Sequence, residues 1–362
     1  MSEDAAMKAK AATGFDLMVR AAGDDPAKLT ALARLAPTIG RGDDAYALAR
    51  RARTLVPDDR EIATLTHDAF AGSVPSWHFR IIADERRNAA YDAAIRRAVT
   101  PGARVLDIGS GTGLLAMMAA RAGAGHVYSC EMNPAVADAA RAIVAANGLA
   151  DKVTVIARKS TELDVAADLG GPVDVLISEI VSNDLLAEAA LPVMEDAVRR
   201  LLVPGGRMVP GSGTILVALA DLPMPERDGL RDIAGFDVSL FDQLAQRPAQ
   251  VKTGNPDLAL RSAPQELFAF DFSTGGPWGP PRTQVECIAD GGPISGVIQW
   301  MRLQLDDETS YEVRPGMTPN SSWAMLFYPF AAAITPAAGT PIRVNGVRDE
   351  QSVRLWVDER GI

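Results

Sequence analysis

Apolar positions along this 362-residue chain change their period at Pro101 and again after Gly205. From about residue 25 to 72, leucines and alanines recur at helical spacing. Leu29 and Leu32 open one helix, and Gly40 to Asp43 make a break. Ala45, Ala49 and Ala52 then line one face of a second helix that stops at Pro57. Residues 73–100 predict one further helix, entered through Pro75, with Ile81, Ile82, Tyr91, Ile95 and Val99 at its apolar positions. Beyond Pro101 short apolar runs (VLDIG, HVYSCE, VTVI, VDVLISE) alternate with helical stretches (LLAMMAARAG, PAVADAARAIVAANG). That alternation predicts an α/β domain, a doubly wound, Rossmann-like parallel sheet over residues 101–210. After Gly205 the chain turns to prolines, glycines and runs such as GTILVAL, ELFAFDF, GVIQWMRLQL, WAMLFYPF and SVRLWV. These predict a mostly antiparallel, β-barrel-like domain over 211–362, preceded by a tail at 1–24, a helical hairpin at 25–72 and the helix at 73–100.

Composition narrows the function. The net charge of −10 argues against a nucleic-acid footprint and weakly favours a cationic partner. Cys130 and Cys287 are the only cysteines, so there is no disulfide framework and no cysteine zinc site. His67, His78 and His126 lack metal-ligand spacing. The polar start MSEDAAMKAK has no signal-peptide core, and the most apolar run, Trp323 to Ile334, is too short to span a bilayer. A cytoplasmic protein is expected.

Val105 to Gly113 reads VLDIGSGTG, and glycines at 109, 111 and 113 permit a tight strand-to-helix turn that lets a ligand approach the backbone. Such a turn alone also serves nicotinamide and flavin sites. Asp107 stands where a dinucleotide fold carries an apolar strand residue, and the spacing is G-x-G-x-G, not the pyrophosphate register G-x-G-x-x-G. S-adenosylmethionine has no pyrophosphate, and its sulfonium, α-amino group and ribose all suit acidic partners. Glu131 ends the second strand, where a carboxylate can accept both ribose hydroxyls. The plainer reading of Glu131 is a solvated strand-end acid.

Glu179 ends the fourth strand, and Glu188 follows in SEIVSNDLLAEAALP. Strand C-termini of an open α/β sheet form the ligand crevice. If the loop returns Glu188 to that crevice, two carboxylates can hold a planar guanidinium by paired, charge-assisted hydrogen bonds. A free guanidinium is a poor nucleophile, so fixed charge that draws its cation toward one nitrogen leaves another aligned for attack on a sulfonium methyl. Either glutamate alone reads equally well as a helix-start acid; the pair beside the donor motif carries the inference.

These runs, with RKSTEL between them, resemble the protein arginine N-methyltransferases, nearest the branch of arginine N-methyltransferases 7 and 9. PSWHFRIIADERRNAAY resembles that branch's lid helix, and the 25–72 hairpin is similar to a single tetratricopeptide unit, a generic hairpin being the alternative. The resemblance implies that Arg87 binds the donor's carboxylate, where the residue alone reads as an exposed helix charge. It implies that Asp107, Gly109, Gly111 and Glu131 hold the methionine and ribose portions, that Ser160 and Thr161 lie near the adenine, and that Glu179 and Glu188 clamp the acceptor arginine of a protein or peptide. Residues 223–250 look like the family's dimerisation arm, which implies a homodimer.

Three positions depart from the pattern. The family's Thr/Ser-His-Trp loop, whose His pairs with a lid-helix Asp, is here Ser321-Ser322-Trp323, while the Asp is present as Asp84. Asp84 must therefore find another partner or stay hydrated, and a less firmly held lid is expected. Ser182 stands where branch members often carry Asp, and the lid carries Ile81 where enzymes that make asymmetric dimethylarginine have methionines. A monomethyl or symmetric dimethyl product is expected. The competing readings are a methyltransferase of this fold acting on a small molecule or a non-arginine acceptor, and a non-catalytic interaction protein.

Overall fold

The computed structural model describes residues 14–72, 74–223, 232–244 and 248–357, and these fall into two compact units. One comprises the chain up to His78 together with Asn133–Ala139; the other comprises Phe79–Met132 and the chain from Ala140.

In the first unit, helices α1 (residues 14–22), α2 (Pro26–Leu35), α3 (Gly42–Leu55), α4 (Arg60–Leu65) and α5 (His67–Ala71) share a core. Helix α2 starts where the Asp25 side chain accepts the N–H groups of Ala27 and Lys28, with Pro26 preset for the first turn. It runs into a 3₁₀ turn that ends at Gly40, whose φ of 75° suits a residue without Cβ. Leu29, Ala49 and Ala52 are fully buried, as the helical spacing demands. The helical N-terminal segment is therefore present.

Helix α6 (Trp77–Ile82) and helix α7 (Glu85–Ala98) occupy the stretch expected to be one helix. The break falls at Asp84, which is extended (φ −76°, ψ 90°) and caps α7 by accepting the Arg87 N–H at 3.0 Å.

Strands β1 (Arg104–Ile108), β2 (His126–Cys130), β3 (Val153–Ile156), β4 (Val173–Ser178) and β5 (Leu202–Val209) form a parallel sheet in the order β3-β2-β1-β4-β5. Helices α8 (Leu114–Arg121), α9 (Pro134–Ala146) and α10 (Ala190–Arg200) alternate with the strands along the chain. β5 was hidden in the sequence because it crosses Pro204-Gly205-Gly206, and its pairing with β4 slips between Val173 and Val175. Ile108 pairs with both Cys130 and Ser178, so β1, β2 and β4 end level with one another. Their outgoing loops therefore open onto one crevice, where the strand order reverses.

The barrel-like part begins with β6 (Ser212–Asp221), nearly all of it buried. β6 lies between β11 (Ile294–Gln304) and the pair β8 (Ala259–Leu260) and β9 (Gln265–Asp271). β11 also pairs with β12 (Ser310–Glu312) and with β13 (Met325–Ile334), and β7 (Ala249–Val251) adds to β13. β10 (Arg282–Ile288), β14 (Pro341–Arg348) and β15 (Val353–Val357) make a second antiparallel sheet. The expected arm lies partly outside the described residues, at 224–231 and 245–247. Its described part leaves Phe236, Leu240, Phe241 and Leu244 exposed by 66–78%.

Candidate active site

Three level strand ends supply the floor of the crevice. After β1, Gly109, Gly111 and Gly113 all take positive φ (87°, 52° and 77°), backbone that only glycine adopts without strain. A Cβ on Gly109 would meet Ile180 Cγ2 at 2.8 Å, whereas one on Gly111 would meet nothing within 4 Å. Gly111 thus keeps a space open beside the turn. Its N–H donates to Glu131 Oε2 at 3.2 Å, which ties the acid after β2 to the glycine turn.

Asp107 is fully buried on β1. Its Oδ2 accepts the Ser129 hydroxyl at 2.7 Å, while Oδ1 has no partner among the described residues. Burial pushes this carboxyl up to about 7, against the Ser129 bond and with help from the nearby charge of Glu131.

Arg87 enters from α7 and is 5% exposed. Its Nη2 donates to Glu179 Oε2 at 2.5 Å, and Nη1 donates to Asn88 Oδ1 at 2.7 Å. Nε is buried with no partner among the described residues. One turn later the Tyr91 ring lies 5.4 Å below the guanidinium, and its hydroxyl donates to the Ser178 carbonyl. Arg87 is thus a buried, positioned cation, contrary to the exposed helix charge that the residue alone suggests.

Glu179 pairs with Arg87 at the end of β4, and the charge of Glu188 acts on it. Burial first, and the neighbouring Glu188 and Asp107 charges after it, push Glu179 up to about 7 against the pull of Arg87. Glu188 rises to about 7 as well, through desolvation and then Glu131. Glu188 is solvent-accessible as a residue, so water moderates its shift, whereas the Glu179 side chain is only 8% exposed. The connecting loop is over-determined. Leu185 and Ala189 hold positive φ (72° and 56°), Leu185 and Leu186 are fully buried, and Asp184 accepts from the Ser182 hydroxyl and the N–H groups of Leu186 and Ala187. Ser182 therefore anchors the loop together with Asp184. From the barrel, Trp323 Nε1 donates to the Val181 carbonyl at 3.1 Å and Ala324 N–H to Asn183 Oδ1 at 2.9 Å.

Ser160 is buried in a 3₁₀ turn after β3, and Thr161 beside it is exposed. Asn88, Tyr91 and Ser129 escaped the sequence reading of the site, whereas Trp323 stood in the Ser321-Ser322-Trp323 loop. Only Tyr91 left a signal, four residues after Arg87 on one helix face.

Asp107, Glu179 and Glu188 all sit above the unfolded carboxylate range. Their protonated forms favour the fold, so this contribution is complete below about pH 4 and is lost as pH rises through about 7. A cationic ligand reverses the shift, releases protons and binds more tightly as pH rises through that window. Calorimetry of an arginine peptide at pH 7, in two buffers of different ionisation enthalpy, should show net proton release. Zero net release would contradict the shared acidic pocket.

The crevice offers an unpaired buried acceptor (Asp107 Oδ1), an unpaired buried donor (Arg87 Nε), open backbone at Gly111 and an acid after β2. This set matches the ammonium, carboxylate and ribose of S-adenosylmethionine, next to an acidic pair suited to a cation. Fold and site together define a class I methyltransferase with an appended barrel.

A family model described as ribosomal protein L11 methyltransferase matches residues 92–219. An arginine N(omega)-methyltransferase of Streptomyces achromogenes subsp. streptozoticus is 38% identical over 307 residues, 83% of this chain and 84% of that protein. Protein arginine N-methyltransferase 7 of Oryza sativa subsp. indica is 35% identical over 66% of this chain, which spans only 36% of that longer relative. Among solved structures, the Trypanosoma brucei PRMT1 enzyme–prozyme heterotetrameric complex with AdoHcy aligns with a TM-score of 0.70 at 24% identity, covering 80% of this chain and 95% of that one. Arabidopsis thaliana protein arginine methyltransferase 10 aligns with a TM-score of 0.66 at 21% identity, covering 81% and 96%. The chain belongs to the arginine N-methyltransferase family and is an S-adenosylmethionine-dependent enzyme.

Proposed function

We propose that the enzyme methylates an arginine side chain in a protein or peptide, giving monomethyl or symmetric dimethyl product. The observation that supports this reading is the buried Glu179–Arg87 pair at the end of β4 beside the donor motif, with the charge of Glu188 acting on Glu179. The donor supplies a methyl group bound to a sulfonium. Arg87 Nε and Asp107 Oδ1 hold its carboxylate and ammonium, Glu131 its ribose, Gly109 and Gly111 give it room, and Ser160 and Thr161 border the adenine. Glu179 and Glu188 grip the guanidinium and polarise it, so that one nitrogen presents its electron pair to the methyl carbon. As the N–C bond forms, the methyl C–S bond would break and leave its electron pair on sulfur as a neutral thioether, and the N–H proton passes to the acid pair and out to water at Glu188, the member that solvent reaches.

A second acceptor, free arginine, has one observation in its favour. The relative matched over most of both chains is named for arginine without the word protein. Incubating the enzyme and labelled donor with L-arginine, with arginine peptides and with a cell extract separates the two, and mass spectrometry reads the product. Label confined to L-arginine would overturn the protein acceptor, and asymmetric dimethylarginine as main product would overturn the product assignment.

We also propose a homodimer through the arm, supported by the six exposed large apolar residues among its described positions, Ile233, Phe236, Val238, Leu240, Phe241 and Leu244. Sedimentation velocity giving a monomer at micromolar concentration would overturn it. A cytoplasmic site of action fits two free, buried cysteines and the absence, among the described residues, of any helix long and apolar enough to cross a membrane. Fractionation of the native cell tests it.

A further inference from the structure

The family's barrel-to-lid histidine is absent, yet the joint it would make is fully built. Asp84 caps α7 with Oδ1, and its Oδ2 accepts two donors from the barrel: the Tyr311 hydroxyl at 2.7 Å and the Ser322 N–H at 3.0 Å. Of the two outcomes expected for Asp84, another partner or hydration, the structure shows the first, with a residue on β12 in the role. The Tyr311 hydroxyl is also within 2.9 Å of Ser321 Oγ, and its ring packs edge-on against Trp323 with centroids 5.7 Å apart. Trp323 in turn holds the Val181 carbonyl, two residues past Glu179. Tyr311 thus touches the helix cap on one side and the indole that fixes the acidic loop on the other. Ser322 Oγ is buried with no hydrogen-bond partner among the described residues, and the serine's bond to Asp84 comes from its backbone N–H.

We propose that Tyr311 is a positioning residue that replaces the missing histidine, holding Asp84 so that Arg87 presents its guanidinium to the donor carboxylate and to Glu179. The proposal rests on the donor-binding role of Arg87 given above. The mechanism is local. Asp84 fixes the first turn of α7, Arg87 is the third residue of that helix, and its Nη2 already bonds Glu179. A phenol serves because β12 brings its hydroxyl to the Asp84 carboxylate beside the Ser322 N–H. Burial tends to raise the Asp84 carboxyl, but the bonds from Arg87, Ser322 and Tyr311 outweigh it and leave it below the ordinary range. An ionised Asp84 is the stronger cap and the stronger partner for a phenol.

The test is Tyr311→Phe, which keeps the ring against Trp323 and removes only the hydroxyl. Loss of a hydrogen bond to a charged group predicts weaker adenosylhomocysteine binding by about tenfold. Hydrogen exchange over residues 79–90 should accelerate, while circular dichroism stays that of the wild type. Ser322→His in the Tyr311→Phe background places an imidazole beside Asp84 and should restore both readouts, which a general packing defect would not allow. Binding and exchange need no acceptor, so they are independent of the acceptor assignment. Wild-type affinity in Tyr311→Phe would overturn the proposal, as would faster exchange with unchanged affinity, or failure of the histidine to rescue.

Discussion

Glu179→Gln is expected to lower the turnover of arginine methylation by at least about 100-fold, the scale for losing a preorganised charge at a reacting centre. Glutamine keeps the shape and can still accept from Arg87, but it cannot draw the guanidinium's charge toward itself. Adenosylhomocysteine affinity should stay within about threefold of wild type, because the buried guanidinium keeps a polar partner and gains freedom to meet the donor's carboxylate. Glu188→Gln should also slow turnover, though less, since water reaches Glu188. Single-turnover kinetics with saturating donor checks this. Near-normal turnover in both variants would rule out the two-carboxylate mechanism.

Arg87→Met is expected to be the most damaging change for donor binding. It leaves Glu179, 8% exposed at its side chain, as a buried acid without its cation. Removing one member of such a pair costs about 3–5 kcal/mol. Part of that loss is avoided when Glu179 takes up a proton, so Arg87→Met should raise the pH at which Glu179 ionises above its present value of about 7. Adenosylhomocysteine binding should weaken by about 100-fold or more, through the missing partner for its carboxylate. Calorimetry across pH 6–9 reads both effects. Donor affinity within threefold of wild type would show that Arg87 serves the fold and not the ligand.

The candidate donor residues could be read together from the sequence because they are local. Asp107, the three glycines and Glu131 lie within one strand–helix–strand unit, and the turn chemistry of glycine leaves few alternatives. The two candidate glutamates could be set side by side for a similar reason, being nine residues apart on a single stretch. What was illegible depends on distant pairing. Tyr311 reaches Asp84 across 227 residues, and no periodicity announces a bond between a barrel strand and a helix cap. The division of α6 from α7 was readable in principle. Asp84, placed before an acidic first turn in DERRN, is an N-cap signal that the apolar spacing of Ile81, Ile82 and Tyr91 obscured. β5 was missed because Pro-Gly-Gly reads as a turn, and only the neighbouring β4 makes it a strand.

Gly213, early in β6, has a consequence for how this enzyme can be rebuilt. A Cβ there would lie 2.8 Å from Phe272 Cζ and 2.9 Å from Leu185 Cδ2, and Leu185 is the fully buried, positive-φ residue that anchors the loop between Glu179 and Glu188. The barrel is therefore not a cassette that can be exchanged to graft new acceptor preferences onto the α/β half. A chimera joined near residue 210 inherits whatever side chain its new barrel places at 213, and anything larger than hydrogen pushes on the acidic loop from behind. Recombination would have to carry positions 181–185, 213 and 323 across together as one inherited block.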